Sequence, residues 1–135
     1  MANWTVPVAA LVVFGSTLGC TTVGGAQPSV PSSFATNVEP ILSDNCTACH
    51  QSGAASDDLN LEPGEAFAQL IDKRSGHAPL QLVVPGSPDE SYLMAKLEGT
   101  HIEAGGTGAR MPFGGELTPD EIAQIRQWIL DGAKP

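Results

Sequence analysis

Two cysteines and a histidine stand together in the segment C-T-A-C-H at residues 46–50. The spacing C-x-x-C-H is the attachment signature of c-type haem. At the end of a helix, the thiols of Cys46 and Cys49 could each add to one vinyl group of the same porphyrin and form two thioether bonds. His50 follows directly, so its imidazole would be held beneath the iron as the proximal ligand. The motif predicts one covalently bound haem c with its iron, and the second ring nitrogen of His50 is expected to donate to a carbonyl in the turn Leu59–Pro63.

Three other roles of the motif stay open on the sequence alone. A zinc site would require two ligands beyond the cysteines, and His50 directly after Cys49 is badly placed to close a tetrahedron with its neighbour. A thioredoxin-type redox pair should follow a strand and open a helix, whereas a helical pattern precedes this motif. A disulfide could join Cys46 to Cys49. Haem attachment is favoured over these three roles.

A methionine is the best candidate for the sixth ligand of the iron. Met111 lies in a glycine-rich loop, precedes Pro112 and belongs to no helical stripe that would explain its side chain as core packing. Met94 lies in a predicted helix and is more simply a core residue. His77 and His101 occur in polar segments that are expected to be exposed. Either histidine, or an open coordination position, remains the alternative to Met111.

Two well-marked helices are predicted at the ends of the folded part. The first begins at Ser33, a candidate N-cap, and leads to Cys46. The last begins with a capping box at Thr118, carries proline in its first position and ends at Gly132. Apolar residues three and four positions apart mark the buried faces of the two helices: Phe34, Val38, Ile41, Leu42, Ile122, Ile125, Trp128 and Ile129.

Two shorter helices are predicted between them. One covers Glu65–Asp72, and the other begins at the candidate N-cap Ser87, where a proline and two acidic residues follow. The β-branched run Leu82–Val84 is too isolated to make a sheet. Residues 99–115 are rich in glycine and are predicted to form a loop between helices.

The N-terminal segment is predicted to direct export. Val6–Leu18 is almost wholly apolar but too short for a hydrocarbon core that needs about 20 residues, so residues 1–19 are interpreted as a signal peptide. The sequence T-L-G-C that ends at Cys20 resembles a bacterial lipobox and predicts a lipid anchor on that cysteine. Cleavage after Ala26, as in ordinary secretion, and an uncleaved anchor are the alternatives. All three place the domain outside the cytoplasm, in the periplasm or the cell envelope.

The rest of the chain divides into a tether and one domain. Residues 20–32 are small, uncharged and rich in Gly, Pro and Ser, so they cannot bury enough surface to fold. Residues 33–135 have room for one modest core. The whole chain has only seven aromatic residues, and a flat buried cofactor would relieve this shortage of large side chains.

The charge of the chain restricts its partners. Fifteen acidic and six basic residues give a formal net charge of −9. Nucleic acid and bare anionic membrane are poor partners for such a surface. Redox proteins are the expected partners. The acidity either steers the chain toward a basic docking surface or only keeps an exported protein soluble, and both roles stay open. Membrane contact would come through the lipid anchor.

Four stretches of the sequence resemble the class I c-type cytochromes. Their motifs are most similar to those of the short cytochrome domains of planctomycete and myxobacterial proteins. The similarity covers about Phe34 to Ala133. The stretches are F-x-x-x-V-x-P-I-L-x-x-N-C-x-x-C-H from Phe34, V-x-P-G-S-P-x-x-S-Y-L from Val83, R-M-P-F-G-G from Arg110, and L-T-x-x-E-I-x-x-I-x-x-W-I-x-x-G-A from Leu117.

The resemblance implies an all-α, class I cytochrome c-like fold of about four short helices around one haem. In such a fold the first and last helices cross, the haem lies in a cleft with one edge exposed, and Trp128 packs on the first helix. The resemblance also implies Met111 as the distal ligand.

Histidine and methionine ligation would leave no open coordination position, so the expected function is electron transfer rather than enzymatic catalysis. The alternatives are a peroxidase-like or gas-sensing haem protein with a labile distal ligand, and a haem subunit of a larger oxidoreductase complex.

Overall fold

The architecture is all-helical. The computed structural model describes Met1, residues 33–53 and residues 56–135, and it contains no β-strand within these ranges. Four α-helices occur there, which agrees with the expected all-α class. The helices are α1 (Glu39–Cys46), α2 (Ala66–Leu70), α3 (Tyr92–Glu98) and α4 (Pro119–Leu130).

The predictions for the N-terminal segment lie outside the described residues. They are the signal peptide over 1–19, the tether over 20–32 and the lipid anchor on Cys20. In the part of the chain that the structure describes, no helix combines the length and the apolar character needed to cross a bilayer.

The chain enters α1 through a π-helical turn at Phe34–Val38. Ser33 occupies the N-cap position before this turn, as predicted, in an extended conformation, but its side chain makes no capping hydrogen bond. The helix ends at Cys46, whose carbonyl accepts hydrogen bonds from the backbone N–H groups of Cys49 and His50 at 3.1 and 2.9 Å. The C-x-x-C-H segment is therefore a tight turn at the C-terminus of a helix.

The core centres on Trp128 of α4, which is fully buried. Its ring centroid lies 5.1 Å from that of Phe34 and 6.5 Å from that of Phe67. The indole N–H donates to the carbonyl of Lys134 at 2.7 Å, so its one polar group is satisfied. The expectation that Trp128 packs on the first helical segment is confirmed.

The second helix is shorter than predicted. It covers Ala66–Leu70 rather than Glu65–Asp72, because Ile71 is extended and forms an isolated parallel bridge with Val83. Asp72 then has a φ of 55°, in the left-handed region, which a right-handed helix cannot continue through. The β-branched run around Val83 thus ends α2 without building a sheet.

The third helix begins later than predicted. The side chain of Ser87 makes no capping hydrogen bond, and Pro88–Glu90 form a 3₁₀ turn before α3 starts at Tyr92. The buried hydroxyl of Ser91 fixes this junction. It donates to the carbonyl of Ser87 and accepts the backbone N–H of Val84, both at 2.9 Å. The predicted role of Ser87 as N-cap is therefore wrong.

The last helix begins as predicted, with a reciprocal capping box. The Thr118 hydroxyl accepts the backbone N–H of Glu121 at 3.3 Å, and the Glu121 carboxylate accepts the backbone N–H of Thr118 at 2.7 Å. The hydroxyl also donates to this carboxylate at 2.8 Å. The hydrogen bonds from Thr118, the backbone one first, hold the pKa of Glu121 below its ordinary value of 4.5.

We expect Thr118→Ala to lower the free energy of unfolding by about 1 kcal/mol near neutral pH, because it removes the cap. A depressed folded pKa stabilises the protein above the unfolded pKa, and this stability is lost as the pH falls through the folded pKa. The difference between wild type and variant should therefore shrink below pH 4.5. Denaturant unfolding at neutral and acid pH measures both effects.

The control is Thr100→Ala. Thr100 is exposed, and its hydroxyl has no hydrogen-bond partner among the described residues. An equal loss of stability in this variant would contradict the capping role of Thr118.

Candidate haem cavity

One cavity collects most of the residues to which the sequence assigns chemistry. It has a volume of about 240 Å³, and Cys46, His50 and Met111 all contribute to its lining. Its apolar wall consists of leucines, namely Leu59, Leu61, Leu70, Leu82, Leu93 and Leu97. The fold therefore brings the C-x-x-C-H segment and the glycine-rich loop to the same space.

The two cysteines of the motif differ in exposure. Cys46 is half-buried and lines the cavity, whereas Cys49 is exposed and is not among the described residues that line it. Burial and, to a smaller extent, the neighbouring Cys49 raise the pKa of the Cys46 thiol to about 11. Both cysteines are free thiols rather than partners in a disulfide. In this fold Cys46 is therefore a protonated, apolar-facing thiol at neutral pH.

The ring of His50 is held by a carbonyl other than the predicted one. Its Nδ1 lies 3.1 Å from the carbonyl oxygen of Ser56, in a short 3₁₀ turn at Ser56–Asp58. The prediction that the turn Leu59–Pro63 supplies this carbonyl is wrong. Leu61 of that turn contacts the backbone of His50 instead, because its N–H donates to the His50 carbonyl at 2.8 Å. Donation from Nδ1 to Ser56 leaves Nε2 as the nitrogen that could ligate iron.

Hydrogen bonds to α3 hold the loop that carries Met111. The Met111 N–H donates to the carbonyl of Lys96 at 2.9 Å, and Nε of Arg110 donates to the carbonyl of Leu97 at 2.8 Å. The Lys96 ammonium donates back to two carbonyls of the loop, and the one of Thr107 lies at 3.2 Å. The position of Met111 is thus fixed although the loop is rich in glycine.

The two other candidates for the sixth ligand are less suitable. His101 is buried, although the sequence predicted that it is exposed. The loop folds back over this residue, and Nε2 of His101 lies 2.9 Å from the carbonyl oxygen of Gly108. His77 is exposed as expected and lines the cavity, but Asp57 and Thr107 engage both of its ring nitrogens. Met94 is buried in the core at 1% exposure, as predicted.

The polar side of the cavity suits a haem. The hydroxyl of Tyr92, another lining residue, is buried and has no hydrogen-bond partner in the part of the chain described. Lys73, Arg74 and Lys96 also line the cavity. Haem combines a flat apolar ring with two carboxylates, so leucine walls, a cationic side and an unpartnered hydroxyl fit this group.

These polar residues are absent from the candidates that the sequence suggested. One signal could have found them, because the chain has only six Lys and Arg residues and three of them line this one cavity. Two of the three, Lys73 and Arg74, are adjacent in the sequence. For Tyr92, nothing in the sequence indicated a role in the cavity beyond its place in the stretch from Val83 that resembles the class I c-type cytochromes.

The structure offers no ligand set for the zinc site that was one alternative role of the motif. In residues 33–53 and 56–135, no three His, Cys, Asp or Glu side chains converge in a way that could hold a metal ion directly. A zinc site therefore has no ligand set there. A porphyrin brings its own equatorial nitrogens and requires only axial ligands from the protein.

Comparison with known proteins gives a structural likeness but no family. No family model matches the chain, and no curated protein matches it either. Among solved structures, the chain is similar to hydrazine synthase of Kuenenia stuttgartiensis, with a TM-score of 0.51 and 24% identity. The match covers 75% of this chain and 16% of that chain. At this identity the likeness concerns the fold alone, and it extends over a small part of the longer protein.

Proposed function

We propose that the protein is a monohaem c-type cytochrome with a class I fold, and that it carries electrons between redox proteins. The observation that carries the proposal is that Cys46, His50 and Met111 line one leucine-walled cavity, and the exposed Cys49 directly precedes His50 in the chain. The bound haem would supply an iron that gains and loses one electron. Cys46 and Cys49 would hold the haem covalently, and His50 and Met111 would be its axial ligands.

The residues of the chain would hold the haem rigidly. The Ser56 carbonyl fixes the ring of His50, and the bonds from α3 fix Met111. The leucines that line the cavity would exclude water from the haem ring. A fixed ligand set and a dry surrounding keep the rearrangement that accompanies electron transfer small.

The proposal includes the cell envelope as the place of action. The apolar segment at Val6–Leu18 supports export, and the lipobox-like sequence at Cys20 supports a membrane anchor.

A redox titration combined with a ligand-binding test decides between the candidate functions. The purified holoprotein should titrate reversibly as a one-electron couple, and the reduced form should not bind carbon monoxide because both axial positions are filled. Ready binding of carbon monoxide would favour the peroxidase-like or gas-sensing alternative. Stable co-purification with other subunits from solubilised membranes would favour a haem subunit of a larger complex.

We expect electron transfer to a basic partner protein to slow as the ionic strength rises. The chain has a net charge of −9, and the Debye length falls to about 10 Å at 0.1 M salt. Stopped-flow measurement of the second-order rate constant over a salt series checks this. A rate that does not change with salt would point instead to docking through the apolar residues that follow Met111, namely Pro112 and Phe113, the latter 80% exposed.

A further inference from the structure

A histidine bridges two other segments at the edge of the cavity. Nε2 of His77 lies 2.6 Å from Oδ1 of Asp57, and its Nδ1 lies 3.2 Å from the hydroxyl oxygen of Thr107. Asp57 belongs to the turn that fixes the ring of His50, and Thr107 belongs to the loop that carries Met111. All three residues of this bridge line the cavity, so the bridge joins the two sides of the candidate site.

The bridge can accommodate a proton without losing a hydrogen bond. The Asp57 carboxylate only accepts, so Nε2 carries a hydrogen in both states of the imidazole. Nδ1 of a neutral His77 would accept from the Thr107 hydroxyl, and Nδ1 of a charged His77 would donate to it. A hydroxyl can do either, because its hydrogen rotates. The two partners therefore suit both the neutral and the charged ring.

The electrostatic surroundings of His77 contain charges of both signs. Asp57 is the acidic residue among those described that line the cavity, and the cations are Lys73, Arg74 and Lys96. Asp57 also interacts with Lys96, whose pKa is lowered by burial and partly restored by this carboxylate. The side chain of His77 is 44% exposed, so water can deliver a proton to it.

We propose that His77 is a proton-binding site linked to reduction of the haem iron. The inference rests on the proposed function. In the linked step the oxidised protein with neutral His77 takes one electron from a one-electron donor and one proton from water, and gives the reduced protein with charged His77. Reoxidation by an acceptor returns the proton to water, so charge and atoms balance.

The direction follows from Coulomb repulsion. The oxidised iron centre carries one more positive charge than the reduced centre, and a charged His77 at the edge of the same cavity opposes that charge. The protonated ring therefore favours the reduced protein. The midpoint potential should be highest at low pH and should fall as the pH rises through the range in which histidine titrates, about pH 5 to pH 8.

The experiment measures the midpoint potential of the holoprotein over this pH range. Wild type should show a fall with pH that His77→Gln abolishes. Asp57→Asn removes the negative charge but keeps an acceptor oxygen, so it should move the fall to lower pH. In wild type, the NMR titration of the His77 ring should give a higher pKa in the reduced protein than in the oxidised protein, which tests the linkage without any substitution.

The control is His101→Gln, which changes the buried histidine outside the cavity lining and should leave the fall in place. A potential that is flat in wild type, a fall that persists in His77→Gln, or a fall that only His101→Gln removes would each overturn the proposal. A persisting fall would assign the proton to the haem carboxylates. These outcomes presuppose covalent haem and a reversible couple, so they are distinct from a failure of the proposed function, in which no such couple is found.

Discussion

In the proposed cytochrome, Met111→Ala is expected to open an axial position of the iron and to allow carbon monoxide to bind. As an axial ligand, the thioether sulfur of Met111 would favour reduced iron, so its loss should lower the midpoint potential. The weak red absorption that arises from sulfur bound to oxidised iron should disappear. The reduced variant should bind carbon monoxide, which the parent should not do. Visible spectra of both oxidation states, with and without the gas, measure all these changes.

Met94→Leu is the matched control for this variant. Met94 lies in α3 and is buried in the core, with 1% of its surface exposed. Its replacement by leucine conserves volume and should leave the spectra and the potential unchanged. If the parent binds carbon monoxide readily, or if Met94→Leu produces the spectral change, the assignment of Met111 is wrong. The sensor or peroxidase-like function would then be favoured.

Replacing the cysteines of the motif is expected to remove covalent haem. Each thiol would supply one thioether bond, so Cys46→Ala and Cys49→Ala should each leave a protein with one bond or none. The double variant should show no haem staining after denaturing electrophoresis. Cys46→Ala should also reduce the yield of folded protein more than Cys49→Ala, because Cys46 is half-buried in the cavity and Cys49 is exposed.

Cys20→Ser tests whether this effect is specific. Cys20 is the third cysteine of the chain and lies outside the motif. This variant should retain covalent haem. Wild type without covalent haem after denaturation would overturn the proposed function itself.

Local sequence signals were sufficient where one residue pattern determines the structure. The capping box at Thr118 and the apolar stripe around Trp128 located α4 correctly, because the cap and the buried face both depend on residues within one helix. The C-x-x-C-H motif likewise indicated a turn at the end of a helix. The presence of Met111 at the cavity agrees with the absence of any helical stripe that would place it elsewhere.

Sequence signals failed where hydrogen bonds to residues four to seven positions away decide the conformation. Ser87 has the residue type of an N-cap, but the buried hydroxyl of Ser91 takes over the junction. His101 stands in a polar segment, yet the loop returns to it through Gly108 and covers it. The Ser56 carbonyl that pairs with the ring of His50 belongs to a turn in which Asp57 has a φ of 60°. No local sequence pattern predicts this left-handed conformation. These three outcomes depend on hydrogen bonds that form only when the turns and the loop have folded.

The attachment of the Met111 loop to α3 has a consequence for how the protein opens. Three kinds of hydrogen bond join the loop to α3: the Met111 N–H and the Arg110 side chain donate to carbonyls of α3, and the Lys96 side chain of α3 donates to the loop. Trp128, in contrast, packs on the first helical segment. The loop thus forms a cooperative unit that hydrogen bonds attach to α3, whereas Leu97 of α3 is buried in the same core as Trp128. In deuterium exchange, the amides of this unit should exchange together and before those of α4. Heating would then detach the loop while the Trp128 core stays folded.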